Sequence, residues 1–148
     1  MGNRTDVTGR SRLDVVGLDT EAIAEILRDF GVVVAYQFGS RALGRAGPES
    51  DLDIAVLTET RPSLLDRQRL ADRIRIATAV PDVDVVVLTD APLELRGRVV
   101  QEGRLIYSVD EARRVSFEGR TRSEYFDFLP TLQQHTRRFL RRVAERGL

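Results

Sequence analysis

Hydrophobic and polar residues follow helical spacing in some segments of the chain and extended spacing in others. From residue 20 to residue 30, large apolar residues recur every three or four positions, which predicts an amphipathic helix that Thr20 could cap and Gly31 could end. The next segment, VVVAYQF at Val32–Phe38, is β-branched and aromatic and predicts a strand. Residues 1–18 are mostly polar, and we interpret them as a flexible lead-in.

The same two patterns continue to the C-terminus. In chain order they predict a short helical piece at 41–45, a loop at Gly47-Pro48, a strand at 51–57, a helix at 64–79 capped by Ser63, a strand at 82–88, a helix at 92–102, a strand at 104–107, and mostly helix from residue 110, with Pro130 starting or kinking its last segment. This order predicts a small α/β (α+β) domain with one mixed sheet flanked by helices and a helical C-terminal region.

Composition narrows the chemistry that the chain can support. The 148 residues include no cysteine, and all 23 basic residues are arginine, so thiolate nucleophiles, Schiff-base lysines and Walker A loops are excluded. The single histidine, His135, excludes metal sites built on several histidines. Carboxylates, hydroxyls, arginines and backbone amides remain for catalysis.

Net charge and hydropathy indicate which partners and which compartment to expect. The chain carries no net charge, which argues against direct nucleic-acid binding as its main role. It has no apolar segment long enough to span a membrane, and its polar N-terminus does not resemble a signal peptide. We therefore expect a cytoplasmic protein with no membrane partner.

Three aspartates stand out because they interrupt segments that otherwise have the pattern of strands. Asp51 and Asp53 are two positions apart in DLDIAV, so they share one face of the strand while Leu52, Ile54 and Val56 face the core. In DVDVVVL, Asp84 lies within the strand, whereas Asp82 follows a proline and is expected at a solvated loop edge. If the two strands are neighbours, the three carboxylates would repel one another unless divalent cations lie between them, and oxygen ligands suit a pair of Mg²⁺ ions.

The residues before DLDIAV predict a phosphate-binding turn. Gly39 lies where a strand gives way to a helical turn, so the backbone there could approach a ligand closely. Ser40 could add a hydroxyl hydrogen bond, and Arg41 and Arg45 could bind phosphate oxygens. Simpler interpretations exist: Ser40 could be only a helix cap, and DLD could be only a solvated strand entrance. The combination of Gly-Ser, the aspartate pair and Asp84 favours a metal-and-phosphate site.

The spacing of these residues resembles a known family. Gly-Ser, ten residues, an Asp-x-Asp pair and a later strand aspartate are typical of the DNA polymerase β-like nucleotidyltransferases. The small size and the run from Val83 to Tyr107 resemble the minimal nucleotidyltransferase (MNT) antitoxins that are paired with HEPN ribonuclease toxins. This resemblance implies a nucleotidyltransferase core at 19–108 and a helical extension of the same domain at 109–148.

The resemblance also implies a reaction and a partner. Gly39, Ser40 and Arg41 would bind the triphosphate of ATP, Asp51 and Asp53 would ligate two Mg²⁺ ions, and Asp84 would ligate one ion and help to activate the acceptor hydroxyl. The enzyme would transfer AMP to a tyrosine of a HEPN toxin encoded by the adjacent gene, and so silence it within a hetero-oligomer. Two alternatives stay open: an antitoxin that acts by complex formation alone, and a small-molecule nucleotidyltransferase of the aminoglycoside type.

Two features near the C-terminus have weaker interpretations. His135 lacks the arginine that a HEPN catalytic motif would place a few residues before it, so we expect a surface or partner-contact residue. Residues 131–148 carry five arginines against one glutamate, interleaved with Leu132, Phe139, Leu140 and Val143. This segment is either a docking helix with a solvated basic face or a contact surface for an acidic partner.

Overall fold

The structure is a computed structural model that describes residues 20–39 and 51–146. In this part of the chain the helices and strands follow one another in the order α1 (Thr20–Asp29), β1 (Val32–Phe38), β2 (Leu52–Thr58), α2 (Leu64–Thr78), β3 (Val83–Val87), a 3₁₀ turn (Leu88–Asp90), α3 (Leu93–Glu102), β4 (Arg104–Ser108) and α4 (Glu111–Arg146). The predicted lead-in, the helical piece at 41–45 and the Gly47-Pro48 loop lie outside the described residues.

The four strands form one mixed sheet in the order β3-β2-β1-β4. Strand β1 pairs antiparallel with both β2 and β4, whereas β2 and β3 run parallel because α2 crosses over between them. The predicted fold class is therefore confirmed. Element ends differ by one or two residues: β2 begins at Leu52, and Leu88 leaves the predicted third strand to begin the 3₁₀ turn.

Both faces of the sheet are covered by helices. The alternate residues Leu52, Ile54 and Val56 of β2 pack against α1 and α2, as their apolar pattern predicts. The opposite face carries a second cluster that includes Ala55 and Leu57 of the same strand together with residues of α3 and α4. The start of β2 and β3 on this second face is where the polar side chains lie.

Local sequence signals explain where α2 begins. Ser63 is its N-cap: the Ser63 hydroxyl accepts a hydrogen bond from the Asp66 backbone N–H at 3.0 Å, and the Ser63 N–H donates to the Asp66 carboxylate at 3.3 Å. These reciprocal bonds form a capping box, which satisfies N–H groups that the first turn leaves without helical partners. The cap that the sequence predicted is confirmed.

Helix α4 is one helix of 36 residues that includes Pro130, which contradicts a start at Pro130, while the alternative of a kink there stays a prediction. Pro130 does not begin a new segment. A proline removes one N–H donor and leaves the carbonyl four residues earlier without its helical partner. That carbonyl belongs to Phe126, whose side chain is exposed, so water can reach this side of the helix and hydrogen-bond the carbonyl.

Candidate active site

The parallel pairing of β2 and β3 brings two of the predicted aspartates together. Asp53 and Asp84 are direct register partners on neighbouring strands, which lie about 4.8 Å apart. Both project from the face opposite α1 and α2, since Leu52, Ile54, Val83 and Val85 pack on that other side. Asp53 is half-buried and Asp84 is exposed. The strand parity derived from the sequence therefore places both carboxylates on one surface.

The two remaining acidic residues lie where these strands begin. Asp51 directly precedes β2 and Asp82 directly precedes β3, and both side chains are exposed. The pairing starts at the same level in both strands, because the Leu52 N–H donates to the Asp82 carbonyl at 3.0 Å. Four aspartates thus surround one end of a parallel strand pair.

The electrostatics of Asp53 reflect this crowding. Burial raises the pKa of the Asp53 carboxyl above its usual range, and the negative charges of Asp84, Asp51 and Asp82 raise it further. The anionic form of Asp53 is therefore disfavoured as long as only carboxylates surround it. A cation at this point would relieve both the repulsion and the loss of hydration.

Gly39 completes the site from the third strand. Phe38, the last residue of β1, is the register partner of Asp53, and Gly39 follows with φ +77°. A Cβ on Gly39 would overlap Oδ2 of Asp53 and lie 3.2 Å from its Cγ. Only glycine combines this left-handed backbone with such a close approach. The sequence suggested that Gly39 leaves room for a ligand; in the structure it leaves room for Asp53.

The donor set fits Mg²⁺ in its chemistry. It consists of carboxylates, two of which belong to facing residues. Burial and the neighbouring negative charges raise the pKa of Asp53, and a cation would offset both effects. Among the described residues, no three acidic or histidine side chains already have an arrangement that could hold a metal ion. Ions of this class are commonly held by one or two carboxylates together with substrate phosphates and water.

Not every predicted site residue can be placed. Ser40 and Arg41, predicted to bind the triphosphate, lie outside the described residues, as does Arg45. His135 lies in α4, and its side chain is not described. Conversely, sequence reasoning set Asp82 aside as a solvated loop residue, whereas its charge acts on Asp53. The signal was available, since Asp82 and Asp84 have the same two-residue spacing as Asp51 and Asp53.

The match to a protein family decides what kind of enzyme this geometry belongs to. The family model "Polymerase beta, Nucleotidyltransferase" matches residues 21–112, which is well over half of the chain and contains all four aspartates. The chain belongs to the polymerase β nucleotidyltransferase family. This nucleotidyltransferase has no sequence match among curated proteins.

Solved structures extend the comparison beyond the family. A chain in a crystal structure of a toxin–antitoxin pair with AMP-PNP is similar with a TM-score of 0.73 at 29% identity, over 83% of this nucleotidyltransferase and 99% of that chain. A chain in the structure of a tri-AMPylated Shewanella oneidensis HEPN toxin in complex with MNT antitoxin gives a TM-score of 0.67 at 27% identity, over 82% and 95% of the two chains. A toxin–antitoxin MntA–HepT structure gives a TM-score of 0.67 at 27% identity, over 82% and 96%.

The similarity therefore extends beyond the matched family region. Because it covers nearly the whole of those chains, the nucleotidyltransferase resembles them in size as well as in fold.

None of the helices within the described ranges has the length and apolar character needed to cross a membrane.

Proposed function

We propose that this nucleotidyltransferase is the antitoxin of a HEPN ribonuclease toxin and transfers AMP from ATP to a tyrosine of that toxin. The observation that carries the proposal is the facing pair Asp53–Asp84, with Asp51 beside it and the backbone of Gly39 against it. The similar solved structures support the nucleotide and the partner, since they include a toxin–antitoxin pair with AMP-PNP and an AMPylated HEPN toxin with MNT antitoxin. The ATP requirement is consistent with a cytoplasmic enzyme.

The acidic residues have distinct roles in this proposal. Asp51 and Asp53 would hold two Mg²⁺ ions, and Asp84 would share one of them across the β2–β3 pair. These ions would neutralise phosphate charge and stabilise the attacking and leaving oxygens during an in-line displacement. Gly39, Ser40 and Arg41 would bind the triphosphate, with backbone N–H groups and a guanidinium as donors.

The transfer replaces a phosphoanhydride bond of ATP with a phosphoester bond to tyrosine. The acceptor tyrosine oxygen attacks the α-phosphorus of ATP, and a bond forms between them. The bond from the α-phosphorus to the bridging oxygen breaks, and pyrophosphate leaves with the electron pair. Asp84 is exposed, and in this proposal it would accept the phenolic proton as the attack proceeds. The products are an AMP-tyrosine ester and pyrophosphate.

The exposure of the site favours a protein acceptor. Asp51, Asp82 and Asp84 all have exposed side chains, so an acceptor can approach from solvent and supply its own wall to the site. A small acceptor such as an aminoglycoside would need a pocket that binds it on several sides. Neutralisation by complex formation alone is the second candidate, which the similar toxin–antitoxin structures favour.

The decisive experiment is an intact-mass assay. The purified protein, Mg²⁺ and each nucleoside triphosphate in turn are incubated with the HEPN product of the adjacent gene. Toxin that gains AMP from ATP, mapped to a tyrosine by peptide sequencing, supports the proposal. Unmodified toxin that an Asp51→Ala/Asp53→Ala variant still inhibits fully would instead establish the binding mechanism.

A matched pair of variants tests the role of Asp84. Asp84→Asn should abolish transfer, because the amide cannot accept the proton and is a neutral, weaker ligand for a cation. Complex formation should be retained. Asp90→Asn is the control: it makes the same change in the 3₁₀ turn that follows the other end of β3, where Asp90 pairs with Arg61 at 3.1 Å on an exposed surface. Such exposed pairs contribute about 1 kcal/mol or less, so the control should retain activity.

A further inference from the structure

The first half of α4 is attached to the domain by a partly buried polar network. Arg114, whose side chain is 8% exposed, pairs with Glu111 at 2.6 Å and with Glu118 at 3.0 Å. The Tyr36 hydroxyl of β1 donates to Glu118 at 2.7 Å, and burial together with this bond raises the pKa of Tyr36 above its usual range. The Arg114 pairs lie within α4 and hold the Glu118 carboxylate in place, and the bond from Tyr36 to that carboxylate then connects α4 to β1 of the sheet.

Apolar and close contacts extend this attachment along α4 to Tyr125. Phe117 packs against the second core cluster, and Thr121 is 1% exposed. The Tyr125 ring lies so close to Gly97 of α3 that a Cβ there would overlap it. These three residues of α4 recur every four positions, so they form one stripe along the helix.

Farther along α4, large apolar residues return to the same side of the helix. Phe139 lies about four helical turns after Tyr125, which returns it to nearly the same side of the helix. Phe139 and Leu140 are 61% and 59% exposed, and Val143 is half-buried. Large apolar side chains that lie together and exposed on one side of a helix are typical of a surface that another molecule covers. We define residues 137–143 of α4 as the distal surface.

Two arginines of the distal surface lie beside its apolar residues, and two lie on the opposite side of the helix. At about 100° per residue, Phe139, Leu140 and Val143 occupy one arc of roughly 100°. By the same geometry Arg137 and Arg142 border this arc on its two sides. Arg138 and Arg141 lie on the opposite side of the helix. In the described part of the chain, none of these four arginines forms an ion pair.

Charge identifies the kind of partner that fits. A second copy of this chain, packed with its own distal surface on this one, would bring two sets of four arginines together, and like charges at an interface are unfavourable. Nucleic acid would leave the central apolar residues without apolar contacts. An apolar groove bordered by carboxylates would cover the apolar side chains of the arc. Its carboxylates would form bidentate pairs with the two guanidinium groups that border the arc.

We propose that the distal surface of α4 docks into an apolar groove with an acidic rim on the HEPN toxin, and so delivers the toxin to the open active site. This inference rests on the proposed function for the identity of the partner. It adds a binding surface separate from the aspartates: the attached half of α4 fixes the helix to the catalytic domain, and the distal half holds the acceptor protein.

The test compares matched variants for binding to the purified toxin by isothermal titration calorimetry, with AMP transfer measured alongside. Phe139→Glu/Leu140→Glu should weaken binding roughly thirty-fold or more, as loss of central interface anchors does. Arg137→Ala/Arg142→Ala should weaken it about tenfold, whereas the compositionally identical Arg138→Ala/Arg141→Ala should stay within about threefold. Thermal unfolding should be unchanged in all of them, because the substituted side chains are exposed.

The kinetic readout separates docking from chemistry. The distal variants should raise the KM for toxin and leave the rate at saturating toxin nearly unchanged. Asp84→Asn should do the reverse, with transfer lost and toxin affinity kept. Transfer without any effect of the distal variants on binding would overturn the docking inference while the proposed function stands. Failure of the wild-type protein both to bind and to modify the toxin would overturn both.

Two further outcomes would assign the surface to another occupant. Light scattering of the protein alone should show a monomer; a dimer that Phe139→Glu/Leu140→Glu dissociates would overturn the inference in favour of self-association. Single-stranded RNA is the second probe. RNA binding that all four arginines support equally, and that the apolar substitutions do not affect, would overturn it in favour of nucleic acid.

Discussion

Substituting alanine for Gly39 tests whether the site depends on the close approach of the β1 turn to Asp53. The substitution has two separable effects. It forces an L-residue to adopt a φ of +77°, and it places a methyl group where Oδ2 of Asp53 now lies. Gly31 provides a matched control, since it has a similar φ of +68° but no atom within 4 Å of a Cβ built on it.

The backbone effect should be common to both variants. An L-residue in the left-handed region costs about 1–2 kcal/mol relative to glycine. For a chain of this length that corresponds to a decrease of about 3–6 °C in the melting temperature. Gly31→Ala should show this decrease and no other defect, because the added methyl group meets open space.

The side-chain effect should appear only in Gly39→Ala. Non-bonded atoms prefer separations of about 3.5–4 Å, so the Asp53 carboxylate must move by roughly an ångström or more. A displacement of that size in a catalytic group can lower turnover about a hundredfold. Because the displaced group is a proposed Mg²⁺ ligand, the concentration of Mg²⁺ needed for half-maximal transfer should rise as well.

The assay measures initial rates of AMP transfer over a Mg²⁺ titration, at a temperature well below the unfolding transition of both variants. Gly31→Ala should follow the wild-type curve, and Gly39→Ala should show lower maximal turnover and a right-shifted Mg²⁺ midpoint. Equal activity of the two variants would refute the reasoning, since the overlap with Asp53 would then have no consequence. A large loss in both would show that backbone strain alone disrupts the site.

Three other changes have definite expected outcomes. Without Mg²⁺ at neutral pH, Asp53→Asn should raise the melting temperature. The pKa of the Asp53 carboxyl is raised in the folded state, so the contribution of this group to stability is full below its unfolded-state pKa and is lost as pH rises through its folded-state pKa. A calorimetric pH series should therefore show a smaller fall in stability for the variant than for the wild type. Gly97→Ala should lower the free energy of unfolding in urea by about 1–3 kcal/mol, because its added Cβ overlaps the Tyr125 ring. Gly119→Ala is the control: its Cβ meets open space, so it should stabilise α4 by about 0.5–1 kcal/mol. Ser63→Ala should cost about 1 kcal/mol by removing the cap of α2, and unchanged unfolding would contradict the capping assignment.

Local signals carried most of the secondary structure. Strand β1 and helix α3 end at the predicted residues Phe38 and Glu102, since β-branched runs and glycines act through neighbours in the chain. Pro130 was the exception. Proline removes one helical hydrogen bond, and at an exposed position water can bond the carbonyl that is left, so α4 does not end there.

The candidate site divides in the same way. Strand parity was enough to place Asp53 on the face of β2 opposite Leu52 and Ile54, because alternation is a property of a single strand. That Asp84 faces Asp53 depends on which strands are neighbours and in what register, and no residue in either strand encodes this alone. The part played by Asp82 was missed because its charge matters only once the two strand entrances lie side by side.

The sequence by itself determined the order of helices and strands, the absence of thiol and lysine chemistry, and a set of aspartates suited to Mg²⁺ and phosphate. Only the tertiary structure decided that Gly39 makes room for the Asp53 carboxylate, and that Phe139 and Leu140 of α4 are left exposed. The physical reason is common to both. A pattern along the chain specifies which side of an element is apolar or charged, but what that side meets depends on segments far apart in sequence, and these meet only in the folded protein.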